Sequence, residues 1–421
     1  MRRLTQRLAT PAGVHVAALV VGFAVLLVVA REQWFFGDDW AILVPRSDGE
    51  LLSPHVGHWN LVPALLFPLL RDAVGLGSYL PFLIPAVLVH LAVAHLTWRI
   101  LLRVGVAPWI ATALSVIVIV LGGGAENILW AFQFGFMGAI ALGLSAVLLL
   151  DRERLPIVPL LIVTIVAPMF SGTAIPVLAA AAIVGWVRHG FRRTVAIMLP
   201  TAVIYVTWYV LAGASAGGGT GFSGWGDLPA AALFAAAMVA GGLGRGLPWI
   251  GLGAAVAVAV AVWFAVTVRK GIRSPAAAAY ALVIGAIVFV LLTTYSRLAF
   301  GISAAASMRY AYLTIVLLLP AIGIMLTALA ARSRVWAWVV AAVLAIVAVT
   351  NLVLLSLYAA EQAAREAESR AAISSALEAL RENPADETLL STPADAVWAP
   401  DLLGSDLLEL DRRGQVALSN W

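Results

Sequence analysis

The residues best equipped for chemistry lie between Arg31 and Asn60, in the stretch REQWFFGDDWAILVPRSDGELLSPHVGHWN. This stretch holds five of the chain's 22 acids and two of its six histidines, and a long apolar run stands on either side of it. Acids are scarce elsewhere before residue 361: the rest are Asp72, Glu126, Asp151, Glu153 and Asp227. Asp38 and Asp39 sit side by side in an aromatic frame of Trp34, Phe35, Phe36 and Trp40. A carboxylate there could take the proton of an attacking hydroxyl, or hold a divalent cation such as Mg²⁺ or Mn²⁺. The plainer reading is a turn or helix cap, since Gly-Asp-Asp is good turn chemistry. Ser53-Pro54-His55 has the form of a helix start, with Ser as cap and Pro at the first position. That start would put His55 and His58 on one helix face, where they could ligate a metal ion together with Asp39. Otherwise they are interfacial histidines beside Trp59.

Three more polar groups belong with this stretch. Glu126, in GGGAENILWAFQF, is a candidate second catalytic acid; alternatively Glu126 and Asn127 cap a helix. Arg297 and Arg309 bracket a short loop, and a guanidinium fork suits a phosphate. The bland reading is snorkelling to lipid head groups. His90 and His95, five positions apart in an apolar run, read as histidines satisfied within a helix bundle. Tyr205, Trp208 and Tyr209 read as an interfacial aromatic belt.

The elements that must position these groups are membrane helices. The chain is 62% hydrophobic and 11% charged, and its apolar runs repeatedly reach the length of about 18 residues that reads as a transmembrane helix. Such runs are too long and continuous for barrel strands. There is no cysteine, which excludes disulfides, thiolate zinc sites and thiol nucleophiles. The formal charge of +4 reads as basic inner loops rather than as a nucleic-acid surface. Together these features predict an all-α polytopic membrane protein with about eleven spans. The N-terminus is expected inside and the C-terminus outside. The basic start (Arg2, Arg3, Arg7) reads as the inner flank of a first span that is retained, with no cleavage site after it. Residues 31–78 then form a first outer loop, whose 59–70 part reads as short surface helices. The glycine-rich run 230–244 is expected to be re-entrant or to lie on the surface, because a full crossing would put Arg269, Lys270 and Arg273 outside. Residues 1–360 thus form the membrane domain. Residues 361–421 form a small acidic tail, whose first part, 361–382, reads as a helix continuing the last span.

With Phe36-Gly37-Asp38-Asp39-Trp40 directly after the first span, then His55-Val56-Gly57-His58-Trp59 and the apolar 60–70 segment, the chain resembles the GT-C-type integral membrane glycosyltransferases. That resemblance implies a catalytic or metal-organising acid at Asp38 or Asp39. It also implies a sugar donor on polyprenyl phosphate, with its phosphate at Arg297 and Arg309, and a glycan, lipid or protein acceptor at the outer face of a bacterial inner membrane. The Glu126–Gln133 stretch maps onto no motif of that family, and the acidic tail is unlike the large soluble domains of several members. The alternatives are a transporter or lipid flippase, which would need ionisable groups at membrane depth, and a non-catalytic membrane scaffold.

Overall fold

The computed structural model describes residues 10–44, 51–216, 221–222, 224–247 and 250–416. The basic cluster at Arg2, Arg3 and Arg7 lies outside the described residues, as do Arg46, Asp48 and Glu50. The regular elements of the described chain are helices, apart from one two-stranded antiparallel ribbon, β1 (Pro393–Asp395) with β2 (Ala399–Leu403), and an isolated bridge between His55 and His58. Nine helices among the described residues are long and apolar enough to cross a membrane.

The first of them, α1 (Pro11–Val29), starts where the Thr10 hydroxyl accepts the Gly13 N–H at 3.1 Å and Pro11 takes the first position. A short α2 (Asp38–Leu43) and the amphipathic α3 (Leu61–Val74) follow, where surface helices are expected. Next come α4 (Leu80–Arg103) and α5 (Pro108–Ile119). The chain bends by 43° between α5 and the segment Gly122–Leu129, which contains α6 (Ala125–Leu129). Then α7 (Phe134–Leu150) returns. The pair α8 (Ile157–Phe170) and α9 (Ala174–His189) has 14 and 16 residues. These two stand where a hairpin of short spans, 155–170 and 173–187, broken at Pro168 and Ser171-Gly172, is expected from the sequence, and the extended Ser171 (φ −173°, ψ 153°) makes that break. The bundle is completed by α10 (Phe191–Leu211), α11 (Leu228–Arg245), α12 (Ile250–Gly271), α13 (Ala277–Arg297), the one-turn α14 (Ile302–Ala305) and α15 (Met308–Ala330). Last comes α16 (Arg334–Glu382), a single helix of 49 residues, roughly 70 Å at 1.5 Å per residue. It joins the last expected span to the tail helix without a break. Beyond the bundle its Ile373, Leu377 and Leu380 are buried with Leu407, Leu408 and Leu410 of α18 (Gly404–Arg412). The five-residue α17 (Glu387–Ser391) lies between them in sequence.

The bundle has two chemically distinct ends. At one end, Asp151 bridges Arg103 at 2.6 Å and Arg188 at 2.7 Å, and Arg188 also donates to the Pro275 carbonyl at 3.2 Å. Breaking such a buried carboxylate's pairing is costly, so this knot ties the ends of α4, α7 and α9 to the turn before α13. The opposite end gathers residues 31–44 and 51–60, Gly122–Gln133, Ser171-Gly172 and Arg297–Arg309. The apolar α11 is approached and left on that second side: Gly221 packs on Ala299, Phe222 lies 6.3 Å from Tyr295, and Arg245 donates to the Ala306 carbonyl. Between the ends the intramembrane histidines are satisfied by neighbours. His90 pairs with the Tyr312 hydroxyl at 2.8 Å and with the Ile119 carbonyl at 3.1 Å. His15 and His95 pair at 3.1 Å, and His15 stacks on Trp98.

Candidate functional site

Gly37 begins the site. Its φ of +54° lets the chain turn sharply from Phe36 into α2, a conformation that glycine reaches without the Cβ penalty. Asp38 and Asp39 then open the helix, about 100° apart around its axis, and that rotation separates their fates. Asp39 points inward and is fully buried. Its carboxylate accepts the Phe132 N–H at 3.0 Å, the Tyr79 hydroxyl at 3.0 Å and the Phe36 N–H at 3.3 Å. Burial pushes its pKa up to about 8, against the pull of those donors. Asp39 therefore stitches the loop to α4 and to the turn before α7; it does not face open space. Asp38 turns the other way, keeps a quarter of its side chain exposed, and accepts from His55 Nε2 at 3.1 Å.

The two histidines are not on a helix. Their backbones exchange both hydrogen bonds, His55 N–H to His58 O at 3.1 Å and His58 N–H to His55 O at 2.9 Å. Val56 (φ +50°) and Gly57 (φ +79°) make the turn between them. The expected helix start at Ser53-Pro54-His55 is thus corrected to a tight hairpin. Left-handed backbone at Val56 and Gly57 is incompatible with a helix there, and a β-branched residue at positive φ is strained. The hairpin sends His55 to Asp38 and His58 to the Ser171-Gly172 break, where a Cβ on Gly172 would lie 2.9 Å from His58 Nδ1. Burial, then the charge of Arg297, pushes the His58 pKa down to about 4, so this imidazole is neutral at pH 7. Trp59 stacks on Trp208 at 5.2 Å, and Trp208 donates to the Leu52 carbonyl at 2.8 Å. Trp208 is therefore a buried prop of the hairpin, whereas its neighbour Tyr209 is exposed, as a belt residue would be.

Arg297 ends α13 and Arg309 begins α15, so the ten-residue connection Leu298–Ser307 presents both to the same space. Arg297 donates to the Val56 carbonyl at 3.4 Å and lies over Phe300. Arg309 pairs with Glu126 at 2.9 Å and lies over Trp130. A cavity of about 380 Å³ opens here. Asp38, His58, Gln133, Ser171, Arg297 and Arg309 all contribute to its wall. Of the residues singled out by sequence, Asp38, His58, Arg297 and Arg309 therefore converge directly. His55 stands behind Asp38, Glu126 acts on Arg309, and Asp39 lies beneath. The sequence reading missed Ser171 and Phe132; the broken hairpin Pro168–Gly172 carried a signal for the first, and the second carried none.

For a divalent cation the donor set is thin. Among the described residues no three His, Asp or Glu side chains come together as a metal-holding group. Asp39, expected as a ligand with His55 and His58, gives its oxygens to protein donors instead, and the hairpin sends the two imidazoles to different neighbours. Asp38 and His58 are the two such groups in the cavity wall, and His55 pairs with Asp38 from behind. An acid held by an imidazole faces two guanidinium groups across a space large enough for a small ligand, since ligand clefts start near 300 Å³. The arrangement can accept a proton on one side and hold an anion on the other. No known protein family's model matches the chain, and no curated protein or solved structure matches it.

Proposed function

We propose that this chain is a glycosyltransferase that moves a sugar from a polyprenyl-phosphate donor to an acceptor hydroxyl at the outer face of a bacterial inner membrane. The observation that carries the reading is the meeting of Asp38, Arg297 and Arg309 in one cavity at one end of an apolar helix bundle. The far end holds the Arg103–Asp151–Arg188 knot and the Arg269-Lys270-Arg273 turn before α13. Under the positive-inside rule that end is cytoplasmic, and the cavity faces outward. The resemblance of the Asp38-Asp39 loop to GT-C-type enzymes points the same way.

In this mechanism Asp38 takes the proton of the acceptor hydroxyl as its oxygen attacks the anomeric carbon. The bond from that carbon to the phosphate oxygen breaks, and polyprenyl phosphate leaves with the negative charge. Arg297 and Arg309 meet that charge as it develops, which is where preorganised donors lower a barrier most. His55 holds the Asp38 carboxylate in one orientation. His58, neutral and wedged against Ser171-Gly172, shapes the wall.

Asp38→Asn keeps size and polarity but removes the base. In membranes supplied with a polyprenyl-phosphate sugar, it should lose about 100- to 10,000-fold in transfer rate, the usual worth of a general base. Unchanged transfer by Asp38→Asn would overturn the proposal.

A further inference from the structure

The loop that carries Asp38 is held from two sides, and one of those sides is the far end of the chain. The Trp34 N–H donates to the Glu366 carboxylate at 2.6 Å, across 332 positions of sequence. The Gly37 N–H donates to the Trp398 carbonyl at 2.5 Å. Gln33 Nε2 donates to the Ala359 carbonyl at 2.9 Å. Arg365 lies over the Trp398 ring at 5.9 Å, and Arg370 over the Trp34 ring at 5.8 Å. From beneath, the Asp39 carboxylate takes the Phe36 N–H. The amides of residues 34, 36 and 37 are thus all engaged just before the residue that faces the cavity.

Glu366 is the most telling member. It is 1% exposed and accepts from Gln362 Nε2 at 3.1 Å as well as from the Trp34 amide. Burying a carboxyl away from water is costly unless it is hydrogen-bonded, and this one is held for a backbone amide four residues ahead of Asp38. The tail adds a second grip farther along, where the Leu76 N–H donates to the Gln415 carbonyl at 2.8 Å and Gln415 Nε2 donates to Asp72 at 2.7 Å. The same tail therefore holds both flanks of the first loop and its surface helix.

We propose that Glu366 and Trp398 are positioning residues for Asp38: the segment 361–416 clamps Trp34–Gly37 and so sets the carboxylate against the cavity. The clamp's catalytic consequence rests on Asp38 being the base, but its structural half is testable without substrate. In the full-length protein, Glu366→Leu should raise amide hydrogen exchange in the peptide covering 33–43 by about tenfold or more, as expected when a local contact is opened. Peptides of α13 and α15 should stay unchanged. Glu366→Gln keeps a carbonyl oxygen for the Trp34 amide and should restore the protection. In transfer assays Glu366→Leu should lower kcat about 100-fold, the scale of a catalytic group misplaced by about 1 Å. KM for the polyprenyl-phosphate sugar should stay unchanged, because Arg297 and Arg309 are untouched, and Glu366→Gln should recover kcat. If Glu366→Leu fails to accumulate, Arg365→Ala takes its place; it frees the Trp398 ring without disturbing a buried group and should raise exchange at Gly37. Unchanged exchange over 33–43 would overturn the clamp, as would a rise spread equally over the bundle. Loosened exchange with unchanged kcat would overturn the positioning role. A wild-type protein inactive with lipid-phosphate sugars would instead sink the proposed function, and exchange would still decide the clamp.

Discussion

The division of labour between Asp38 and Asp39 is decided by a rotation of one residue on a helix. Adjacent acids are indistinguishable in a sequence, and either could have been the base. The structure separates them because α2 begins at Gly37, whose turn aims the first acid at the cavity and the second at Phe36, Phe132 and Tyr79. Asp39 and Glu366 then form a pair of buried carboxyls behind the loop, each pushed up to about 8 by burial. Their titration has a definite sign. From about pH 4 to 8 the folded state keeps protons that the unfolded chain has released. The native state therefore binds more protons across that window, and stability falls as pH rises through it. The contribution is fully present below the ordinary carboxylate range and lost by about pH 8. Thermal unfolding in detergent should show a midpoint that drops between pH 5 and pH 8. The double variant Asp39→Asn, Glu366→Gln should have a flatter profile. A wild-type midpoint that rises over the same range would contradict the assignment of both groups.

Elements were legible in the sequence where hydrocarbon alone determines them, and obscure where a few residues adopt unusual backbone. The continuation of the last span into the tail follows from the Glu361–Arg365 spacing and the apolar repeat at Ile373, Leu377 and Leu380, and α16 runs through both. The hairpin at His55–His58 could not be read, because Val56 gives no hint of positive φ and Ser-Pro is an ordinary helix start. The break between α8 and α9 could be read, because Pro168 and Ser171-Gly172 mark it, whereas the place of Ser171 in the cavity wall could not. The triple glycine before Glu126 carries a meaning that only packing reveals. A Cβ on Gly122 would lie 2.3 Å from the Asn351 carbonyl oxygen and 2.6 Å from Leu354 Cβ, both on α16. Asn351 in turn accepts the Gly123 N–H at 3.3 Å and donates to the Gly246 carbonyl at 2.8 Å. This close crossing seats the segment that delivers Glu126 to Arg309 and the Phe132 amide to Asp39. Gly122→Ala should push α16 away and cost about 1–3 kcal/mol, the range for overpacking. It should appear as a lower unfolding temperature together with reduced transfer. Gly57→Ala is the informative contrast: no neighbour lies within 4 Å of its added Cβ, so its cost comes from the φ of +79° alone.

At the scale of the molecule, the sidedness of charge is what gives the fold a functional direction. The Arg103–Asp151–Arg188 knot and the Arg269-Lys270-Arg273 turn belong to one end; Asp38, Glu126, Arg297 and Arg309 belong to the other. This polarity was legible in the sequence, because most of the basic residues before residue 361 fall in one set of loops and, apart from Asp151 and Glu153, the acids there fall in the other. The number of crossings was not, since α8 and α9 are shorter than ordinary spans and α11 is as apolar as one. The decisive element is α11. If it crosses, every loop after it changes sides relative to the loops before it, and Arg297 could not share a cavity with Asp38. The contacts of Gly221 and Phe222 with α13's end, and of Arg245 with Ala306, keep both approaches to α11 on the cavity side. The chain has no cysteine, so single reporters can be read without background. Ser53→Cys beside the hairpin and Gly226→Cys before α11 should both react with a membrane-impermeant maleimide applied to intact spheroplasts. Ser333→Cys at the start of α16 should react only after the membrane is opened. Labelling of Ser333→Cys in intact spheroplasts alongside Ser53→Cys would mean that α11 crosses the bilayer. The two arginines would then lie on the opposite face from Asp38, and the cavity could not be a single active site.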